Sequence, residues 1–249
     1  MYMKQQYLLK KMNNIYKTDT KYTAFSLLEM IITTFIVGFI MTVVALVLTT
    51  LIKVSVVTTN KTAARNDSEF VLELLRRNVK SSNPSEVSLY DSTKRTYNKD
   101  TGKVSGEGDF TNSVDKNKPA NEIHFRPQGS QNWVCLAYYK GVLGDNEIKK
   151  DKDGKLVRMG YILKTTKKMG EYEAAKCFTE NANIMVLNSR AVNIKEFTFR
   201  YREYGEDAVN KIIQVDMTAQ PVFWYFAQGA PINREVYRQA IISTESIKW

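Results

Sequence analysis

Glu29 is the residue whose placement most needs a chemical reason. It stands at the head of residues 30–52, a run of 23 residues with no charge and no proline. A carboxylate beside that much apolar surface is costly and marks a functional position. Its chemistry is charge pairing: an ammonium nearby would keep both charges from standing unpaired in a low-dielectric surrounding. Other reactive groups are sparse. His124 is the only histidine, in Ile123-His124-Phe125. Any Ser/His/Asp or Cys/His nucleophile system must therefore use it. A structural or surface role is expected for His124, and no enzymatic activity for the chain. No Cys/His ligand cluster is expected, and so neither a zinc site nor a cofactor. Asp145-Asn146-Glu147 and Asp151-Lys152-Asp153-Gly154 gather oxygen donors. They lack the calcium-loop spacing, and Lys149, Lys150, Lys152 and Lys155 would repel a cation. No glycine-rich phosphate loop with its lysine is present, which excludes a P-loop ATPase.

The element that must position Glu29 is a helix. At ~1.5 Å per residue, 23 apolar residues reach about 35 Å, enough to cross a hydrocarbon core of about 30 Å. A secretory signal would have a shorter apolar core with its small-residue junction behind it. Here the small-residue junction, Thr23-Ala24-Phe25, lies in front.

Ala24-Phe25-Ser26-Leu27-Leu28-Glu29 resembles the processing and N-methylation motif of type IV prepilins and type II secretion pseudopilins. The resemblance implies cleavage by a membrane prepilin peptidase between Ala24 and Phe25, with Ala24 standing where the family usually has glycine. It implies a methylated Phe25 as the mature terminus, and it makes Glu29 the glutamate used in subunit assembly. Cleavage would free an α-amino group at the edge of the apolar helix, within the chemistry Glu29 can serve.

Residues 1–24 carry five lysines and one aspartate, a polar leader excluded from the fold. They hold +4 of the formal +10 and leave 31 basic and 25 acidic residues behind them. A basic leader favours a cytoplasmic N-terminus, and the resemblance implies the same orientation, with the head outside. The implied location is the cytoplasmic membrane, then a surface or periplasmic filament. The implied partners are other pilin or pseudopilin subunits, the peptidase and a membrane assembly platform.

The helix is expected to continue past the apolar run as residues 53–82. Neither proline nor glycine interrupts that stretch, and Val54, Val57, Ala64, Phe70, Leu74 and Leu75 recur at roughly helical spacing. Pro84 supplies the stop. Gly38 is either a soft point or a place for close helix packing. Residues 91–120 are turn-rich and read as a surface loop with at most a short hairpin around Gly102. Strand signals follow at 122–126, 133–139, 156–165, 192–204, 211–218, 222–226 and 235–243, with weaker ones at 172–178 and 184–187. In 192–204, Phe197, Phe199 and Tyr201 share one face.

The expected fold class is α+β: a long N-terminal helix packed on a mostly antiparallel β head spanning 83–249. The strand series resembles the heads of J-type minor pseudopilins and W-type minor pilins. It implies a minor subunit that primes, caps or regulates a filament. The alternative is a binding module for DNA, a surface or a secreted substrate on the same scaffold. Lys94, Arg95, Lys167, Lys168, Arg200 and Arg202 are the candidate phosphate contacts.

Two further groups stay open at this level. Cys135 and Cys177 are an even pair in a domain expected outside the cytosol, as a disulfide or as two buried thiols. Phe223, Trp224, Tyr225 and Phe226 form a dense aromatic run, a docking patch if exposed or an internal strand if not.

Overall fold

The computed structural model describes residues 26–142, 149–150, 156–179, 182–203, 210–222 and 235–244. The described chain is one α-helix followed by β-sheets, an α+β arrangement. The helix, α1 (Leu27–Lys80), is continuous through Gly38, where an added Cβ would meet nothing within 4 Å. The chain divides into two compact units at Ile52/Lys53.

In the first unit every described residue is exposed. This part of α1 is long and apolar enough to cross a membrane, with a mean hydropathy of 2.7 over its most apolar stretch. Its threonines hide their hydroxyls. Thr33, Thr34, Thr42, Thr49 and Thr50 each donate to the carbonyl four residues back, at 2.6–2.9 Å. A donor satisfied within its own helix can face an apolar medium without the cost of an unmade bond.

In the second unit α1 buries Ala64, Ser68, Val71, Leu72, Leu75 and Val79. The steps of three and four residues make one stripe. It differs from the stripe expected from sequence: Val54 is 57% and Phe70 56% exposed, while Leu74 is half-buried. Several interleaved apolar sets fit a helical period here, and only the sheet decides which faces inward. Burying side chains such as Leu75 and Val79 stabilises by roughly 1.5–3 kcal/mol each. Ser68 satisfies its hydroxyl on the Ala64 carbonyl at 2.7 Å. Asp67 accepts from the Ser189 amide at 2.7 Å, and Glu69 pairs with Arg238 at 3.1 Å.

The helix stops at Lys80, where Ser81 and Ser82 donate to the Asn78 carbonyl. Strand β1 (Ser82–Tyr90) begins almost at once and contains Pro84. The proline is tolerated because its register with β4 (Glu122–Pro127) breaks between Ser82 and Val87, and because β1 is an edge strand. The larger sheet continues from β4 to β5 (Asn132–Gly141), β8 (Gly160–Lys168) and β9 (Met185–Val186), all antiparallel. The hairpin β2 (Thr96–Asn98) and β3 (Lys103–Ser105) joins it through a parallel contact of β2 with the end of β5. Gly102 provides the turn with φ of 67°. Residues 91–120 are therefore not merely a surface loop: Ser92, Arg95, Tyr97 and Val104 are buried.

The second sheet is β10 (Val192–Glu203), β11 (Ile212–Pro221) and β12 (Val236–Ser243), antiparallel in that order. A register shift between Ile194 and Glu196 switches the inward face from Val192 and Ile194 to Phe197, Phe199 and Tyr201. Ile213, Val215, Met217 and Ala219 of β11 join them, and the helix stripe belongs to the same core. A short ribbon pairs β6 (Lys149–Lys150) with β7 (Leu156–Val157). Two expectations fail locally. Strand β8 pairs with β5 as its hairpin partner, but over Gly160–Lys168 rather than from residue 156. Residues 172–178 form no strand: 3-10 turns at Met169–Glu171 and Ala174–Lys176 occupy that region. The acidic turns at 145–147 and 151–154 lie outside the described residues.

Candidate functional site

The N-terminal candidate is described from Ser26 onward; Ala24 and Phe25 lie outside the described residues. Ser26 Oγ accepts from the Glu29 amide at 3.2 Å. This is an N-cap, satisfying one of the amides that a helix start leaves unpaired. Glu29 sits in the first turn and is exposed. Its negative charge is favoured there by the helix dipole. It is the only acid or base of α1 before Lys53.

The second constellation lies in the head and was not legible in sequence. Glu122 and His124 share one face of β4 because they are two residues apart on a strand. Both are fully buried. Glu122 Oε1 meets His124 Nε2 at 2.7 Å, and its other oxygen accepts from Ser92 Oγ and the Tyr139 hydroxyl, each at 2.5 Å. Asn121 Oδ1 holds the Ser92 amide at 2.7 Å. His124 Nδ1 lies 2.9 Å from the Tyr172 hydroxyl. The network is self-consistent when Nε2 carries the proton and Tyr172 donates to Nδ1. Burial, with the Glu122 charge beside it, pushes the Tyr139 phenol well above its ordinary pKa, so it remains a donor. Burial also raises Tyr172, helped by Tyr90 and Glu122.

A serine, a histidine and a carboxylate in contact invite a hydrolytic reading, but the geometry opposes it. Ser92 donates to the carboxylate and not to the imidazole, so the histidine is not placed to take its proton as it would in a Ser/His/Asp relay. Ser92 is also fully buried. The cluster is a closed polar network that joins the segment before β2 to β4 and β5.

Cys135 and Cys177 are bridged, with Cα atoms 6.5 Å apart. The bridge closes a sequence separation of 42 residues and ties the 3-10 segment to β5. In the chain-entropy argument such a loop contributes about 4 kcal/mol. His124 lies directly opposite Cys135 in the β4–β5 register. The ligand atoms of His124, Cys135 and Cys177 lie within 4.8 Å of one another. This corrects the expectation that the chain has no Cys/His ligand cluster: residues distant in sequence are brought together by the β4–β5 pairing and the bridge.

The aromatic run Phe223, Trp224, Tyr225 and Phe226 lies outside the described residues. Of the candidate phosphate contacts, Lys94 and Lys168 are exposed. Arg95 is buried: it donates to the Ala175 carbonyl at 2.7 Å and lies 4.2 Å over the Phe110 ring. Arg202 donates through Nε to Gln214. Arg95 is thus a structural partner within the head and not a phosphate contact, whereas Arg202 is exposed.

The outer face of the second sheet carries another polar centre. Asp216 accepts from Gln214 at 2.6 Å and from Tyr237 and Gln239 at 2.8 Å each. Burial pushes this carboxyl up, but the bonds from Tyr237, Gln239 and Gln214, with the Arg200 charge, outweigh it and hold the pKa below its ordinary 3.8. A depressed folded pKa means stability that is present above 3.8 and lost as pH falls through the folded value. Thermal melts of the wild type and Asp216→Asn should therefore differ near neutral pH and converge below pH 3.8. A gap that stays constant through acid would refute this role.

The fold defines a class: an α+β protein whose N-terminal helix presents a bare apolar surface and whose head is built on that helix's continuation. No family model, no curated protein and no solved structure matches the chain.

Proposed function

We propose that this protein is a minor pilin or pseudopilin subunit of a type IV filament system, with a pilin-like fold. The observation that carries the reading is the exposed, Ser26-capped first part of α1, whose single acid is Glu29. Such a surface needs an apolar partner, and two are available in sequence. Lipid takes it first, with the leader on the cytoplasmic side and the head outside. Neighbouring copies of the same helix type take it later, when the filament core replaces lipid as the apolar medium. The helix continues directly into the stripe that the head packs on, so the head is carried by the element that assembles. Priming, capping or regulating assembly is then the task of the subunit.

The reading requires maturation. Intact mass and N-terminal sequencing of the protein from cells with the prepilin peptidase should show a chain beginning at N-methyl-Phe25. Cells without the peptidase should yield the uncut chain. An uncut chain from both strains would overturn the filament reading and leave a stable membrane anchor with an exported head.

A further inference from the structure

Three ligand-type side chains converge where the filament reading has no use for them. His124 comes from β4, Cys135 from the facing position of β5, and Cys177 from the end of a 3-10 turn. All three are fully buried, and their ligand atoms lie within 4.8 Å of one another. Glu122 grips His124 Nε2 at 2.7 Å. A carboxylate on the far nitrogen of a histidine is the usual outer support of a metal-bound imidazole, because it fixes the tautomer and raises ligand basicity.

We infer that the reduced protein binds one zinc ion through Cys135, Cys177 and His124, and that the disulfide is the metal-free state of the same site. The balance is simple. A dithiol reductant gives two electrons and two protons to the bridge, leaving two cysteine thiols and the reductant's own disulfide. Zinc then displaces two thiol protons to solvent and binds two thiolates. Tyr172 releases His124 Nδ1, whose lone pair completes the three protein ligands, while Nε2–H stays on Glu122. Two thiolates and an imidazole are a donor set suited to zinc, and three protein ligands leave one position for water. The site is thus redox-gated: oxidation expels the metal and reduction restores the ligands. This inference does not depend on the filament reading.

The test uses the full chain in detergent, reduced with a phosphine without oxygen and titrated with Zn2+ against a chromophoric chelator. Background is low because His124 is the only histidine. The reduced chain should take up about one equivalent and the oxidised chain none. With Co2+ instead, the reduced chain should show a thiolate-to-metal charge-transfer band. Cys177→Ser should abolish that band or weaken binding at least about tenfold, and Glu122→Gln should weaken it by about 10–100-fold. Near-UV circular dichroism of each sample reports folding. A folded, reduced wild type without zinc uptake overturns the site. So does uptake unchanged in Cys177→Ser and His124→Gln. A reduced wild type that unfolds and is not restored by zinc also overturns it, since a metal that binds only the native site must stabilise it.

Discussion

Glu122→Ala should destabilise the head by about 3–5 kcal/mol, the scale for removing one partner of a buried charged network. Three donors converge on this carboxylate: Ser92 and Tyr139 at 2.5 Å and His124 at 2.7 Å. All four residues are at most 1% exposed. Water cannot take over the bonds, so each orphaned donor costs about 1–3 kcal/mol, and the truncated side chain leaves a void as well. Glu122→Gln separates the terms. It keeps the volume but turns one acceptor into an amide donor facing other donors, so part of the loss should persist. Denaturant unfolding of the wild type and both variants reads the result. The surface pair Arg76–Glu73 makes a useful contrast. Its side chains are both 54% exposed, and its removal should cost at most about 1 kcal/mol. If Glu122→Ala costs no more than that, the network does not hold the head together.

Glu29→Ala should leave membrane insertion intact and lower incorporation into filaments at least about tenfold, the factor that 1.4 kcal/mol produces. Insertion depends on the apolar length that follows, which the substitution does not touch. Assembly differs, because mature subunits would bring ammonium termini into a bundle from which water is excluded. A carboxylate in the first helical turn can pair with such a group on a neighbour. Without it the ammonium is left unpaired at low dielectric, a cost that sets register as well as affinity. The measurement is the ratio of subunit in sheared filament fractions to subunit in membranes, for wild type and variant. Glu29→Gln should fail nearly as badly, because the missing quantity is charge and not a hydrogen bond. Equal ratios in all three would remove charge pairing from the proposed assembly step.

Local pattern was enough for some of this structure. An uncharged run without proline has few options other than helix, and α1 follows it. Alternation over 197–201 made a strand with its aromatics inward, because period-two patterning and strand geometry coincide there. The N-terminal acid was readable in sequence, whereas its cap by Ser26 appears only in the structure.

Other features depend on residues far apart in the chain, and no window contains them. The phase of the helix stripe was decided by the sheets beneath it, which turned Phe70 outward and Val71 inward. Pro84 ended no strand, because pairing with β4 could break around it. Arg95 looked like a surface cation until the chain brought Phe110 and the Ala175 carbonyl to it from 15 and 80 residues away. The polar cluster needed Ser92, Glu122 and Tyr139 on three segments. The Glu-x-His spacing of one strand face was its only visible trace. The sequence by itself determined where an apolar helix begins and which residues could carry charge, because those follow from composition and local geometry. Tertiary structure alone decided which polar groups lose water, because burial depends on what packs above each side chain.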